Sequence, residues 1–559
     1  MSRLHGIAGS SGIAIGTIAR LPDATAQISQ PTDDARDDLQ RLLAAQTEVA
    51  AQLQRLAAEL RAEDKPNEAG IFEAQVLLAN DPSLVSEVER LLAQEQIPLP
   101  EAVRKASDTM GATLSRIDDP YLRERAADVQ AIGQQIIAVL QGVTLDLRVP
   151  EGAIVIARDL TPAQTARLRR LRIAGFATAG GTATGHVAIL ARALDIPAVV
   201  GLGDTLLDLP DGATAILDAA EGLLIVEPDA EELEHYSALR TSRQEDAARR
   251  QGLLSLPAAT RDGQPIELWA NIGHPDEVQR ALAVGAQGIG LFRTEFLFLE
   301  RSAPPDEAEQ YAAYAAVLRE MSGQPVVIRT LDIGGDKPIP YLQTAQEANP
   351  FLGWRGIRFA MRFRELFQVQ LLALLRAATE GDLRIMLPMV ATPADVAWVR
   401  AEIDVAIAGL AQASIPHRAD VPLGIMIETP AAALTLDLLA TGIRFCSIGS
   451  NDLAQYTLAA DRSVAELVQR YRHDDPAVFR MIQLAVSEAR RLGLEISICG
   501  ELASEPRAAV ALVGLGLEKL SMTPAALLAV KESLRAVSSE EARQQARQAL
   551  GRADLPQRL

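Results

Sequence analysis

The segment GGTATGHVAILAR, Gly180 to Arg192, sets His186, one of six histidines in the chain, behind glycine and threonine and ahead of an apolar helical pattern. Glycine there lets the backbone turn tightly and approach a ligand, and a helix that follows turns its first N–H groups toward an anion. A neutral imidazole is a competent nucleophile, so the chemistry on offer is acceptance of a phosphoryl group. Read structurally, the same histidine is a helix cap, and this stretch alone leaves both readings open.

A second set of polar residues follows short apolar runs in the latter half of the chain. Arg293 comes after GIGLF, Arg329 after VVI, Glu428 after GIMI, Asn451 and Asp452 after SIGS, and Cys499 closes ISIC. Arginine offers forked donors that match carboxylate and phosphate oxygens, and Arg355 in GWRGIR and Arg462 in AADRS add to the set. Glu428 and Asp452 are hard oxygen ligands suited to Mg2+, which takes one or two carboxylates and leaves its other positions to water and phosphate. A thiol with a reference pKa of about 8.5 stays mostly protonated near neutrality, so Cys499 can donate a proton. Each residue also has a plain use, as an ion-pair partner, a core thiol or a helix terminus. Six such placements at successive strand ends favour one common site for a small, highly anionic phosphorylated acid.

Those placements require strands to carry them. After Arg261, eight apolar runs alternate with helical patterns: IELWANI, GIGLF, PVVIRTL, RIMLPMV, LGIMIE, FCSIG, EISIC and KLSMT. Strands alternating with helices form parallel units, and eight of them predict a (β/α)8 barrel with its functional residues at the C-terminal strand ends. An open doubly wound sheet needs the same local pattern, so periodicity alone does not close the barrel. Near the N-terminus GIAIGTI alternates like a strand; then Leu39, Leu42, Leu43, Val49, Leu53, Leu56 and Leu60 recur at helical spacing. The helical texture runs to about Leu140, with prolines after Asp81 and Asp119 at favoured helix starts, and strand character returns at EGAIVIARDL. The helical section is thus expected to be an insertion into an α/β domain, with a charged linker helix from about Pro228 to Gly252.

Composition narrows the function classes. At 559 residues the chain exceeds what one core usually serves. The net charge of -19 argues against a nucleic-acid partner, whose binding draws on Lys and Arg neutralising phosphates. Two cysteines, Cys446 and Cys499, make no disulfide framework and fit a reducing, cytoplasmic setting. No signal segment or long apolar run predicts membrane insertion.

Taken together, GTATGHVAILARALDIPAVVG, GLFRTEFLF, IRTLDIGGDK, NPFLGWRGIR, SIGSNDLAQYTLAADR and ICGELA closely resemble enzyme I of the bacterial phosphoenolpyruvate-dependent sugar phosphotransferase system. Pyruvate phosphate dikinase and phosphoenolpyruvate synthase share related modules, but need a nucleotide-binding domain for which the upstream helical section carries no Gly-rich loop. The resemblance implies a multidomain α/β protein: a swivelling phosphohistidine α/β domain with an inserted helical domain, then a C-terminal (β/α)8 TIM barrel. Its expected limits are 1–25 and 141–227 for the phosphohistidine domain, 26–140 for the insertion that docks the carrier protein HPr, 228–254 for the linker helix, and 255–559 for the barrel. The barrel would bind phosphoenolpyruvate, release pyruvate and form a homodimer. By motif, His186 resembles the phosphorylated nucleophile, Arg293, Arg329, Asn451, Asp452 and Arg462 the phosphoenolpyruvate-binding set, Glu428 and Asp452 the Mg2+ ligands, and Cys499 the proton donor to the enolate. Three positions depart from the family pattern: Gly185 stands where serine is common, Gln75 where histidine is usual, and Ala131 where aspartate is usual. The segment after Arg462, SVAELVQRY, departs too, replacing the typical Gly-Asn and later His-Leu-Tyr.

Overall fold

A computed structural model describes residues 2–21, 35–62, 66–95, 97–115, 120–141, 149–160, 164, 168, 171–181, 186–193, 196–299, 301, 303–334, 341, 347–462 and 464–551. Contacts divide the chain into two compact units, Met1–Glu245 and Asp246–Leu559.

The first unit is built on an eight-stranded sheet. Its strands are β1 (Ser2–His5), β2 (Ile7–Ala8), β3 (Ile13–Arg20), β4 (Ile154–Ala157), β5 (Gly175–Thr178), β6 (Ala198–Val200), β7 (Thr214–Asp218) and β8 (Leu223–Val226), in the order β1-β8-β7-β3-β4-β5-β6-β2. Strands β3 and β4 lie parallel, with Ile18 opposite Ile154, although five helices separate them in sequence. A parallel neighbour requires a crossover, and here the helical section is that crossover. The helices are α1 (Ala35–Ala62), α2 (Pro66–Ala79), α3 (Pro82–Glu95), α4 (Leu99–Ser115) and α5 (Pro120–Leu140). Pro66, Pro82 and Pro120 each open a helix, where the missing N–H costs no hydrogen bond. Leu42, Val49 and Leu53 of α1 are fully buried with Phe72, Val103 and Ile136, and this core runs on to Val155, Phe176 and Ala198 of the sheet. Leu43 breaks the expected stripe and lies exposed, as does Leu77 on α2. Helix α6 (His186–Ala193) follows β5, and α7 (Ala230–Gln251) follows β8.

The second unit is a closed barrel of eight parallel strands: β9 (Glu267–Ile272), β10 (Ile289–Phe292), β11 (Val326–Arg329), β12 (Leu383–Leu387), β13 (Leu423–Ile427), β14 (Phe445–Ile448), β15 (Glu495–Ile498) and β16 (Lys519–Met522). All eight expected strands form. Closure rests on β16 pairing with β9, Leu520 opposite Leu268, which excludes the open sheet. Alternation sorts the side chains: Cys446 and Ile448 face the helices, while Trp269, Leu291, Val327, Met386, Met426, Phe445 and Cys499 fill the interior. The N-terminal end is closed by ion pairs. There Glu495 meets Arg384 and Lys519, each at 2.9 Å, and Arg384 and Lys519 also lie over the Trp269 ring.

Candidate active site

The C-terminal strand ends carry a lattice of buried charge. Arg329 ends β11; it is 6% exposed and pairs with Glu295 at 2.8 Å and Asp332 at 2.9 Å. Arg355 lies between two carboxylates as a double fork. Its Nε and Nη2 donate to Asp332 at 3.1 Å each, and its Nη1 and Nη2 donate to Asp452 at 2.7 and 2.9 Å. Arg462 adds a longer contact to Asp452 at 3.5 Å. Burial works against the charge of both inner arginines, but the surrounding carboxylates outweigh it and hold them fully protonated.

Glu428, one residue past β13, is fully buried. Its Oε1 accepts the backbone N–H of Met389, a residue held at φ 57°, where a non-glycine residue is strained. Its Oε2 has no partner among the described residues. Burial, reinforced by the nearby carboxylates of Asp452 and Asp332, pushes Glu428 up to about 8, with Arg329 and Arg355 opposing. A buried, unpartnered carboxylate oxygen beside a second carboxylate fits a divalent cation, which would keep both acids ionised. No cluster of three or more His, Cys, Asp or Glu occurs in metal-binding geometry among the described residues, so any cation here needs water and substrate oxygens to complete its shell.

Cys499 follows β15 and its thiol is buried, with Sγ 3.7 Å from the Ile448 carbonyl. Burial pushes the thiol up to about 11, opposed by a hydrogen bond with Ser447 and by the charges of Arg329 and Arg293. At neutral pH this group therefore holds its proton. Asn451 and Asp452 sit in the first turn of the helix Ser450–Leu458, and Asn451 Oδ1 accepts the Glu501 N–H at 2.9 Å. Arg293 follows β10 and is exposed.

Of the residues singled out in the sequence, Arg329, Glu428, Asp452, Arg462 and Cys499 are joined by contacts or by their mutual fields, and Arg293 by its field at Cys499. His186 opens α6 in the other compact unit; Thr182–Gly185 before it, and its side chain, lie outside the described residues. Glu295 and Asp332 were missed. Both lie inside motifs quoted above, two and three residues after Arg293 and Arg329, but a carboxylate beside an arginine reads as a surface pair until burial is known. Gln75, at the position where histidine is usual, is fully buried and donates to Asp128 at 3.1 Å, bracing α2 against α5.

A parallel barrel whose upper face combines buried guanidinium groups, an orphan carboxylate oxygen and a protonated thiol defines an enzyme that handles a phosphorylated acid. Residues 247–539 match the family described as PEP-utilising enzyme, PEP-binding domain; residues 149–222 match the mobile domain and 5–125 the N-terminal domain of such enzymes. The chain is 40% identical over 546 residues to a phosphoenolpyruvate-protein phosphotransferase of Geobacillus stearothermophilus, covering 96% of this chain and 94% of that protein. It is 37% identical to that of Bacillus subtilis (strain 168), covering 97% and 96%. A multiphosphoryl transfer protein of Xanthomonas campestris pv. campestris is 39% identical over 98% of this chain and 65% of its own length. The chain belongs to the phosphoenolpyruvate-protein phosphotransferase family, enzyme I of the sugar phosphotransferase system, and catalyses that system's first phosphoryl transfer. No helix among the described residues is long and apolar enough to cross a membrane.

Proposed function

We propose that phosphoenolpyruvate binds at the barrel mouth, gives its phosphoryl group to His186, and that His186 passes it to a histidine of the carrier HPr. In the first step the bond between phosphorus and the enol oxygen breaks and a bond between phosphorus and an imidazole nitrogen forms. Arg293, Arg329, Asn451 and Arg462 hold the substrate's anionic oxygens and fix it in line with the neutral imidazole, while Asp452 belongs to the binding set by anchoring Arg462 and by serving as a cation ligand. Glu428 and Asp452 would hold Mg2+, which when bound neutralises charge on the transferring group. The departing enolate takes the Cys499 proton at carbon and leaves as pyruvate; water restores the thiol. The observation that carries this reading is the unpartnered Glu428 oxygen beside the Asp452, Arg329 and Arg355 charges, with the Cys499 thiol in reach of the same field.

We assign residues 1–25 and 141–227 to the phosphohistidine domain, 26–140 to the HPr-docking insertion, 228–254 to the linker helix and 255–559 to the barrel, which also forms the homodimer. The exposed Leu43 and Leu77 give the insertion an apolar contact for the carrier. One imidazole has to meet two partners in turn, so its domain swivels during each cycle. The protein works in the cytoplasm, in keeping with its two unpaired, buried cysteines. The test is pyruvate release with Mg2+: one equivalent or less per chain without HPr, continuous release with it. Continuous release without any carrier, or none in either case, contradicts the reading.

A further inference from the structure

We propose that Asn271 is a positioning residue for Cys499, holding the thiol where the enolate carbon forms; the inference rests on Cys499 being the proton donor. Cys499 stands just past the paired part of β15. On one side its N–H still donates to the Ile448 carbonyl at 3.0 Å. On the other, β15 pairs with β16 only at Ile498 and Leu520, so the Cys499 carbonyl runs beyond that ladder. Asn271, at the end of β9, supplies the partner from two strands away: its Nδ2 donates to the Cys499 carbonyl at 2.9 Å and to the Ser521 carbonyl at 3.4 Å.

Only a nitrogen can face two carbonyl oxygens, which fixes the orientation of the amide. Ser521 locks it from the other end, its hydroxyl donating to Asn271 Oδ1 at 2.6 Å. The far side of the turn is also anchored. Asn451 Oδ1 accepts the Glu501 N–H at 2.9 Å, and Gly500 lies so close to Ser450 that a Cβ there would sit 1.9 Å from the Ser450 hydroxyl oxygen. The peptide plane that follows the Cys499 Cα is therefore held by Asn271 at its carbonyl, and the next plane by Asn451 at the Glu501 N–H. Without the Asn271 donor, a buried carbonyl loses its partner and the strand end is free to shift, moving the Cys499 Cα and the thiol it carries. A catalytic group has to be held within about 0.5 Å of its productive geometry, and Asn271 touches the Cys499 backbone and none of the arginines, so its loss acts on proton donation.

The test compares Asn271→Asp, which keeps the shape and removes the donor, with Cys499→Ala and the double variant. Asn271→Asp should lower kcat about tenfold or more with KM for phosphoenolpyruvate nearly unchanged and Tm a few degrees lower, and its effect on kcat should vanish in the Cys499→Ala background. If Cys499→Ala leaves kcat intact, the proton-donor reading fails and this inference with it. If Cys499→Ala lowers kcat but the Asn271→Asp loss multiplies with it, or appears in KM instead, the donor reading stands and the positioning role is overturned. Should Asn271→Asp fail to fold, Ser521→Ala replaces it in the same cycle, with an expected loss of about threefold that again vanishes without the thiol; a loss that persists overturns the proposal.

Discussion

Glu428 carries the sharpest electrostatic consequence of the site. Its carboxyl is raised to about 8, so the folded protein binds that proton more tightly than the unfolded chain does. Stability from this source is fully present below the unfolded value of about 4.3 and is lost as pH rises toward 8. Glu428→Gln removes the liability. In metal-free protein its Tm should match wild type near pH 5 and exceed it increasingly up to pH 8. Added Mg2+ at pH 8 should raise the Tm of wild type and leave Glu428→Gln unmoved, as differential scanning fluorimetry can check. Arg329 and Arg355 behave differently: with carboxylates around them they hold their charge at every accessible pH, so what they offer an anionic ligand does not vary with pH.

At the level of elements, the barrel divides labour between its ends. Glu495, Arg384 and Lys519 close the N-terminal end, while the C-terminal end holds the lattice of buried charge around Arg329 and Arg355, the end where barrels of this kind place their active sites. Burial raises Glu495, but hydrogen bonds and charges from Lys519 and Arg384 outweigh it and hold the carboxyl below its usual value. Its stabilising contribution is present above about pH 4.3 and disappears as pH falls through the lower folded-state value. Glu495→Gln should therefore cost about 1 kcal/mol at pH 7, less than a fully buried pair because water reaches the side chain, and nothing near pH 2. Urea unfolding at the two pH values measures this, and kcat should not change.

The same elements show what a sequence can and cannot disclose. The strands themselves were legible, because alternation and apolar runs are local. Closure was not in the periodicity, since β16 and β9 lie some 250 positions apart and nothing local says they pair; the expectation of a barrel leaned on the polar residues gathered at the strand ends. Arg329, Glu428 and Cys499 were legible because each follows an apolar run. Glu295 and Asp332 were hidden because their role depends on burial against Arg329 and Arg355, and Asn271 because it acts on a backbone carbonyl rather than on a side chain. Leu43 was counted in the apolar stripe of an amphipathic helix and is exposed, its helix turning that position away from the bundle.

On the scale of the whole chain, His186 and the charged mouth of the barrel belong to different compact units. The first has a continuous core of its own, from α1 and α5 into β4 and β5, and α7 leads out of it. A fragment ending at Gln251 should fold alone with native helix content by circular dichroism. It should accept label from phosphorylated HPr and none from phosphoenolpyruvate, because the guanidinium lattice is absent. Label taken directly from phosphoenolpyruvate by this fragment would move the donor site out of the barrel.

The central claim is that the phosphoryl group comes to rest on His186. Trypsin releases residues 173–192 as one peptide containing His186 and no other histidine. After brief exposure of the full chain to phosphoenolpyruvate and Mg2+, mass spectrometry at mildly alkaline pH should find the phosphate on this peptide, lost on acid treatment and absent from a His186→Ala variant. Phosphate on another histidine peptide, or an acid-stable ester on the threonines of the same peptide, would contradict the account.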